Sequence, residues 1–189
     1  MIILSLTLVA MLLGLICRFG WAGLARLATL ELRSSMLAVL ACTAQMVGFL
    51  TRLHRLELLI VSTVFFGWFC WRNRRQAGIP LVSLGIVLNM TVMAANGGMM
   101  PIAPAKVEQL RGVQVSSGVP LHSSKDVVRE DSEAALAWLG DRIVLPGPLA
   151  KLAVWSIGDF VLLIGVGRLL WTTMEGRERE RFTNEAPVH

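Results

Sequence analysis

Apolar residues along the chain gather into five runs, separated by short stretches in which arginine recurs. The runs cover about residues 2–17, 36–51, 56–71, 78–96 and 149–171. Several carry no charge over fourteen or more residues. A helix needs about 20 apolar residues to cross the hydrocarbon core of a bilayer, with a range near 17–25. The first three runs lie at or below the low end of that range. Arginines at their ends (Arg18, Arg52, Arg55, Arg72) extend their reach by snorkelling, and Trp68 and Trp71 suit the interfacial belt. One short run as a buried or interfacial helix is the alternative. The pattern predicts an all-α membrane protein: a bundle of about five transmembrane helices with an extracytoplasmic loop that contains a short helix. It forms one membrane domain over residues 1–173, with an outer loop over 102–148 and a charged cytoplasmic tail over 174–189.

The arginines set an orientation. The first connection holds Arg18, Arg26 and Arg33, the third holds Arg72, Arg74 and Arg75, and the end of the chain holds Arg168, Arg177, Arg179 and Arg181. With five spans these places share one side, whereas the second connection holds only Arg52 and Arg55. The positive-inside rule then places the N-terminus outside and the C-terminus in the cytoplasm, in the inner (plasma) membrane. The long loop faces outward. In the first connection, Leu24, Leu27, Leu30 and Leu32 mix with Arg26, Glu31 and Arg33, which suits a short amphipathic piece on the inner surface. The alternating charges from Glu175 to Arg181 suit a solvated extension more than a partner site.

Composition agrees. The chain is 54% hydrophobic and 16% charged, against about a quarter charged in soluble domains. Its net charge of +5 sits in clusters at the ends of apolar runs, a topological pattern that argues against nucleic acid as a partner. The N-terminus lacks the basic region of a secretory signal. Cys17, Cys42 and Cys70 fall within or beside apolar runs without metal-ligand or disulfide spacing, so they read as packing residues. No cofactor or metal is implied.

The outer loop has internal order. Gly112 to Lys125 reads as irregular, and Asp131-Ser132-Glu133 opens a short helix over Ala134–Leu139 that Gly140 stops. Pro146-Gly147-Pro148 turns the chain back toward the membrane.

Candidate chemistry crowds into the second half. Asn89 and Asn96 are seven apart and share a helix face, either as bonds between helices or as the wall of an outward pocket. Gly97 and Gly98 end that helix and Pro101 forbids its continuation. Ser156 and Asp159 have the spacing of a capping box; the competing reading makes Asp159 a ligand or proton group. Gln45 and Thr91 are further candidates for a polar network, and Gly85 reads as a lone membrane glycine. His122 and Asp141 lie in the outer loop. The usual nucleotide, zinc-protease, serine-hydrolase and haem motifs are missing.

The motifs RLATLELR, Asn96-Gly97-Gly98-Met99-Met100-Pro101, Leu139-Gly140-Asp141 and Ser156-Ile157-Gly158-Asp159 resemble a family of small bacterial membrane proteins catalogued as domain of unknown function 5317. The resemblance reaches to about Trp171. It implies a multi-pass bacterial membrane protein, carries no activity, and draws attention to the last three motifs together.

The expectation is a non-catalytic accessory or scaffold protein, with the bilayer as its surroundings, that binds a lipid, a membrane protein partner or a second copy through its outer loop. An enzyme acting on a lipid-linked or amphiphilic substrate is the alternative, with His122 as base and Asp141 or Asp159 to orient or protonate. A small carrier or channel using Asp159 and the two asparagines is the third possibility.

Overall fold

A computed structural model describes residues 2–51, 54–121, 125–144 and 154–176. Among them are six α-helices: α1 (Ile2–Ala28), α2 (Ser35–Thr51), α3 (Arg55–Arg72), α4 (Ile79–Ala95), α5 (Pro104–Arg111) and α6 (Ile157–Glu175). Four short strands accompany them: β1 (Met100–Ile102), β2 (Asp126–Val128), β3 (Ile143–Val144) and β4 (Val154–Trp155). The protein is mostly helical, as the apolar runs predict. Two segments, Thr7–Ala28 and Ile157–Glu175, are long and apolar enough to cross a membrane, and α2 and α4 are shorter apolar helices. Helix α3 carries Arg55, Glu57 and Arg72 at its ends.

The long helices are neighbours in the order α2, α3, α4, α6, α1. Between α4 and α6 the backbones nearly touch. A Cβ on Gly85 would lie 2.7 Å from the carbonyl oxygen of Gly158, and one on Gly165 would lie 2.6 Å from the amide nitrogen of Val82. A Cβ on Gly78 would lie 2.2 Å from the oxygen of Gly165. Gly85 is therefore not a lone glycine. It belongs to a small-residue seam, the arrangement that lets two apolar helices approach to close van der Waals contact.

Two helix boundaries differ from the extents of the apolar runs. Helix α1 does not stop near residue 17; it bends at Gly20 (φ 62°, ψ −160°) and continues to Ala28. Its last turn docks on the end of α6, where the Arg26 guanidinium donates to the Met174 carbonyl at 2.8 Å. Helix α6 begins at Ile157, where the capping-box reading of Ser156 and Asp159 puts it, rather than at the start of the apolar run near 149. Val154 and Trp155 form β4, antiparallel to β3 with Ile143 opposite Trp155, and residues 149–153 lie outside the described residues, as do Pro146-Gly147-Pro148 and the tail from Arg177.

The loop between α4 and α6 is a small cap. Helix α5, with Pro104 in its first turn, was not legible as a helix in the sequence. Strands β1 and β2 pair in parallel, Met100 with Asp126 and Ile102 with Val128. Ile102, Val107, Leu121 and Val128 form the core of the cap. Within the stretch read as irregular, Pro120 bridges to Val127. The helix expected over 134–139 is one 3-10 turn, Ala137–Leu139, preceded by Leu136 in the left-handed region (φ 55°). A second core, Leu59, Val92, Met93, Met100 and Leu139, fastens the cap to α3 and α4.

At the opposite end the connections are tied together. The Asn73 side chain accepts from the Arg33 amide and donates to the Arg33 carbonyl, both at 2.8 Å. Gln76 donates to the Glu31 carbonyl at 2.9 Å. The arginine-bearing first and third connections and the end of α6 therefore share one end of the bundle.

Candidate functional site

The polar groups singled out in the sequence meet at the other end, where the cap sits on α4 and α6. The Asn89 amide donates to Asp159 Oδ1 at 2.8 Å and its oxygen accepts from the Ser156 hydroxyl at 2.9 Å. Ser156 Oγ accepts from the Asp159 amide at 3.0 Å, and Asp159 Oδ2 accepts from the Ser156 amide at 3.1 Å. This is a complete capping box with an interhelical bond added to it. The carboxylate lies against the positive end of the α6 dipole, which favours its charge. The three side chains are buried and use one another as partners.

Asn96 is 1% exposed and works on a different partner. Its amide donates to the Val92 and Ala135 carbonyls, both at 2.8 Å, and its oxygen accepts from the Ala135 amide at 3.1 Å. It clasps the turn before the 3-10 segment. Gly97 (φ 71°) and Gly98 (φ 83°) then reverse the chain in the left-handed region open to glycine, and the Gly98 amide donates back to the Met93 carbonyl at 2.8 Å. The buried Pro101 offers its carbonyl to the Asp141 amide at 3.0 Å. Gly140 is required beside it, since a Cβ there would lie 2.6 Å from that same oxygen. The Asn96–Pro101 seam and Leu139-Gly140-Asp141 are thus in direct contact. The Ser156–Asp159 cap joins them through Asn89 and through the pairing of β3 with β4.

Asp141 is 4% exposed, and among the described residues its Oδ1 has no hydrogen-bond partner. Burial is the main cause that holds its carboxyl well above the ordinary range, against the pull of Lys125. Repulsion from Asp126 and Asp159, and a side-chain hydrogen bond with Asp126, add to the rise. Lys125 is half-buried. Burial acts to lower its value, but Asp141, Asp159 and Asp126 act the other way and the net displacement is upward. The ammonium therefore stays charged among three carboxyl groups, one of which favours its protonated form.

Lys125 and Asp126 escaped the sequence reading. They sit in a polar stretch without periodicity, and only the β1–β2 pairing brings them to Asp141. Thr91 and Gln45 do not join the network. Thr91 is exposed and donates to its own helix at Val87, while Gln45 donates to Ser62 at 2.6 Å, between α2 and α3. His122 lies outside the described residues. Among the described residues no group of three or more His, Cys, Asp or Glu has the arrangement to hold a metal ion.

Beside this network a cleft of about 30 Å³ opens at the heads of α2 and α3. Gln45, Gly48 and Phe49 of α2, Arg55 and Leu58 of α3, and Met99 of the seam line it, and Lys125 closes it on the cap side.

A protein of Thermotoga maritima described as "Uncharacterized protein" is 32% identical over 103 residues. The match covers 54% of this chain and 55% of that protein, so the chain spans about half the length of the curated relative it matches. No solved structure matches the chain. The model of a family of unknown function, DUF5317, matches residues 29–171. That interval takes in the α4–α6 seam, the cap and the whole polar network, and the chain belongs to this family.

Proposed function

We propose that the protein is a five-pass integral membrane protein, N-terminus outside and C-terminus in the cytoplasm, that holds an amphiphile or a partner at its outer interface without catalysing a reaction. The arginine-bearing connections gather at one end through the bonds of Asn73 to Arg33 and of Arg26 to Met174, and the cap covers the other end. That separation suits the positive-inside rule. The observation that carries the binding reading is the cleft between the helix heads and a cap held in place by Asn96, Pro101 and Asn89. The polar groups of α4 and α6 satisfy each other, which leaves them as framework rather than as acid and base poised over a substrate.

Single cysteines in a cysteine-free background test the topology. A cysteine at Gly112 in the cap should react with a membrane-impermeant maleimide in intact cells, and one at Arg75 should react only after permeabilisation. The reverse pattern sinks the topology. Native mass spectrometry after mild detergent extraction tests the binding. Lipid should remain on the wild-type protein and be lost when Gly48→Trp fills the cleft. A folded protein that carries no lipid or other amphiphile overturns the reading.

A further inference from the structure

The cleft contains a cation with no acidic partner among the described residues. Arg55 stands at the start of α3, half-buried, with its guanidinium against the Met99 sulfur. A thioether is a weak acceptor, and a guanidinium carries five donors in a fixed fork. Among the described residues no carboxylate pairs with Arg55. Glu57 lies 3.7 Å from His54 instead, and Asp126, Asp141 and Asp159 act on Lys125. The position of Arg55 is built. A Cβ on Gly98 would lie 3.1 Å from Arg55 Cβ and 3.2 Å from its backbone, so the seam closes on this residue through a glycine. The walls beside it, Gly48, Phe49 and Leu58, are apolar. A fork of donors at one end and an apolar wall at the other match an anionic group attached to a hydrocarbon tail. Guanidinium is weakly hydrated and binds phosphate oxygens two at a time.

Resting on the outer-interface binding reading above, we infer that the cleft takes the phosphate-ester headgroup of an anionic lipid, with Arg55 as its bidentate contact and Phe49 and Leu58 against the start of the tail. Lys125, already surrounded by acids, shapes the wall and contributes less to the charge. Inorganic phosphate shares the headgroup chemistry but not the tail.

The test uses the full chain in mild detergent, titrated with phosphatidylglycerol and with phosphatidylcholine and read by native mass spectrometry. The wild type should prefer phosphatidylglycerol. Arg55→Gln should lower its affinity for that lipid by about tenfold, the usual scale for one lost charge-assisted contact. Arg55→Lys, which keeps the charge but not the fork, should fall between them, and Arg74→Gln at the opposite end of α3 should match the wild type. Arg55→Lys carries the test if Arg55→Gln does not fold. Folded Arg55 variants that keep the full preference overturn the inference while lipid binding itself stands. Equal binding of both lipids by the wild type does the same. Complete displacement of phosphatidylglycerol by inorganic phosphate assigns a free anion and overturns the tail contact. Absence of any lipid from the wild type removes the reading beneath the inference as well.

Discussion

The α4–α6 pair and the α2–α3 pair are both antiparallel neighbours, and different chemistry joins them. At α4–α6 four glycines bring the backbones together, and Asn89, Ser156 and Asp159 lock the cap end in a closed set of hydrogen bonds. At α2–α3 a Cβ on Gly48 would meet Leu58 Cδ1 at an ordinary 3.4 Å, Ala41 is buried, and one side-chain bond, Gln45 to Ser62, crosses the interface. The tight pair has no room for a ligand and holds the cap in register. The looser pair opens at its head into the cleft. Framework and opening thus lie side by side at one end of the bundle.

The largest break in that contrast comes from the glycine seam. Gly85→Leu places a side chain where backbone of α6 already stands, and neither helix has a flexible side chain there to yield. Several kcal/mol of overpacking should follow, at or above the 1–3 kcal/mol usual for extra methylenes in a packed core. The yield of folded protein should fall to near zero. Gly48→Ala in the looser pair should leave recovery and thermal midpoint close to wild type. Equal damage from both substitutions would remove the distinction between the pairs.

Asp159→Ala comes next. It removes the carboxylate half of the capping box and the bond from Asn89. A lost cap costs about 0.5–2 kcal/mol, and an interhelical bond in a membrane protein about 0.6 kcal/mol. A total of about 1–3 kcal/mol should appear as a lower thermal midpoint in detergent. Because the bond ties α4 to the start of α6, the loss should be accompanied by faster hydrogen exchange at the first turn of α6. A lowered midpoint without that local change would place the role of Asp159 elsewhere.

These two regions were not equally legible in the sequence. The helices showed because apolar runs, arginine punctuation and the Gly97-Gly98 stop are local signals. The capping box at Ser156 and Asp159 showed for the same reason, since three residues suffice to specify it. Gly85 looked isolated because its partner, Gly158, lies beyond the entire cap in the chain. Lys125 and Asp126 were invisible because parallel pairing of β1 with β2 is a long-range event between three-residue strands, too short to carry an alternating pattern. The same holds for Arg55, which reads as a snorkelling anchor until the seam is seen to close on it. Pattern reveals elements; the site is made by their encounter.

Asp141 makes the cap responsive to pH. A carboxyl whose folded value is raised binds its proton more tightly in the folded state. Its stabilising contribution is complete below the ordinary carboxyl value and declines as pH rises through the raised one. The cap should therefore loosen as pH rises across that window, measured as faster hydrogen exchange at the amides of Asp126–Val128 and Asp141. Asp141→Asn, which resembles the protonated acid and does not titrate, should flatten the profile and hold the cap at its acid-side protection. Residues at the far end of the α4–α6 glycine seam, around Gly78 and Gly165, should show little of this dependence, because they lie away from the cap and its carboxyl groups. A profile unchanged by the substitution would assign the pH response to another group.

The smallest expected effect probes the looser pair directly. Gln45→Leu deletes the bond to Ser62 and a weak contact with the Met90 sulfur of α4 at 3.4 Å, and leaves the Ser62 hydroxyl its contact with the Leu59 carbonyl at 2.9 Å. No buried donor is stranded, so the loss should be near the average for a membrane interhelical bond, about 0.6 kcal/mol. The readout that matters is ligand retention, since Gln45 lines the cleft. A near-normal thermal midpoint together with altered lipid binding would show that α2 and α3 are held by apolar packing while their polar crossing serves the opening. A fall as large as that of Asp159→Ala would mean instead that the α2–α3 pair depends on its polar bond as much as α4–α6 does on its own. The cleft would then be a by-product of that bond rather than a feature of a loosely joined pair.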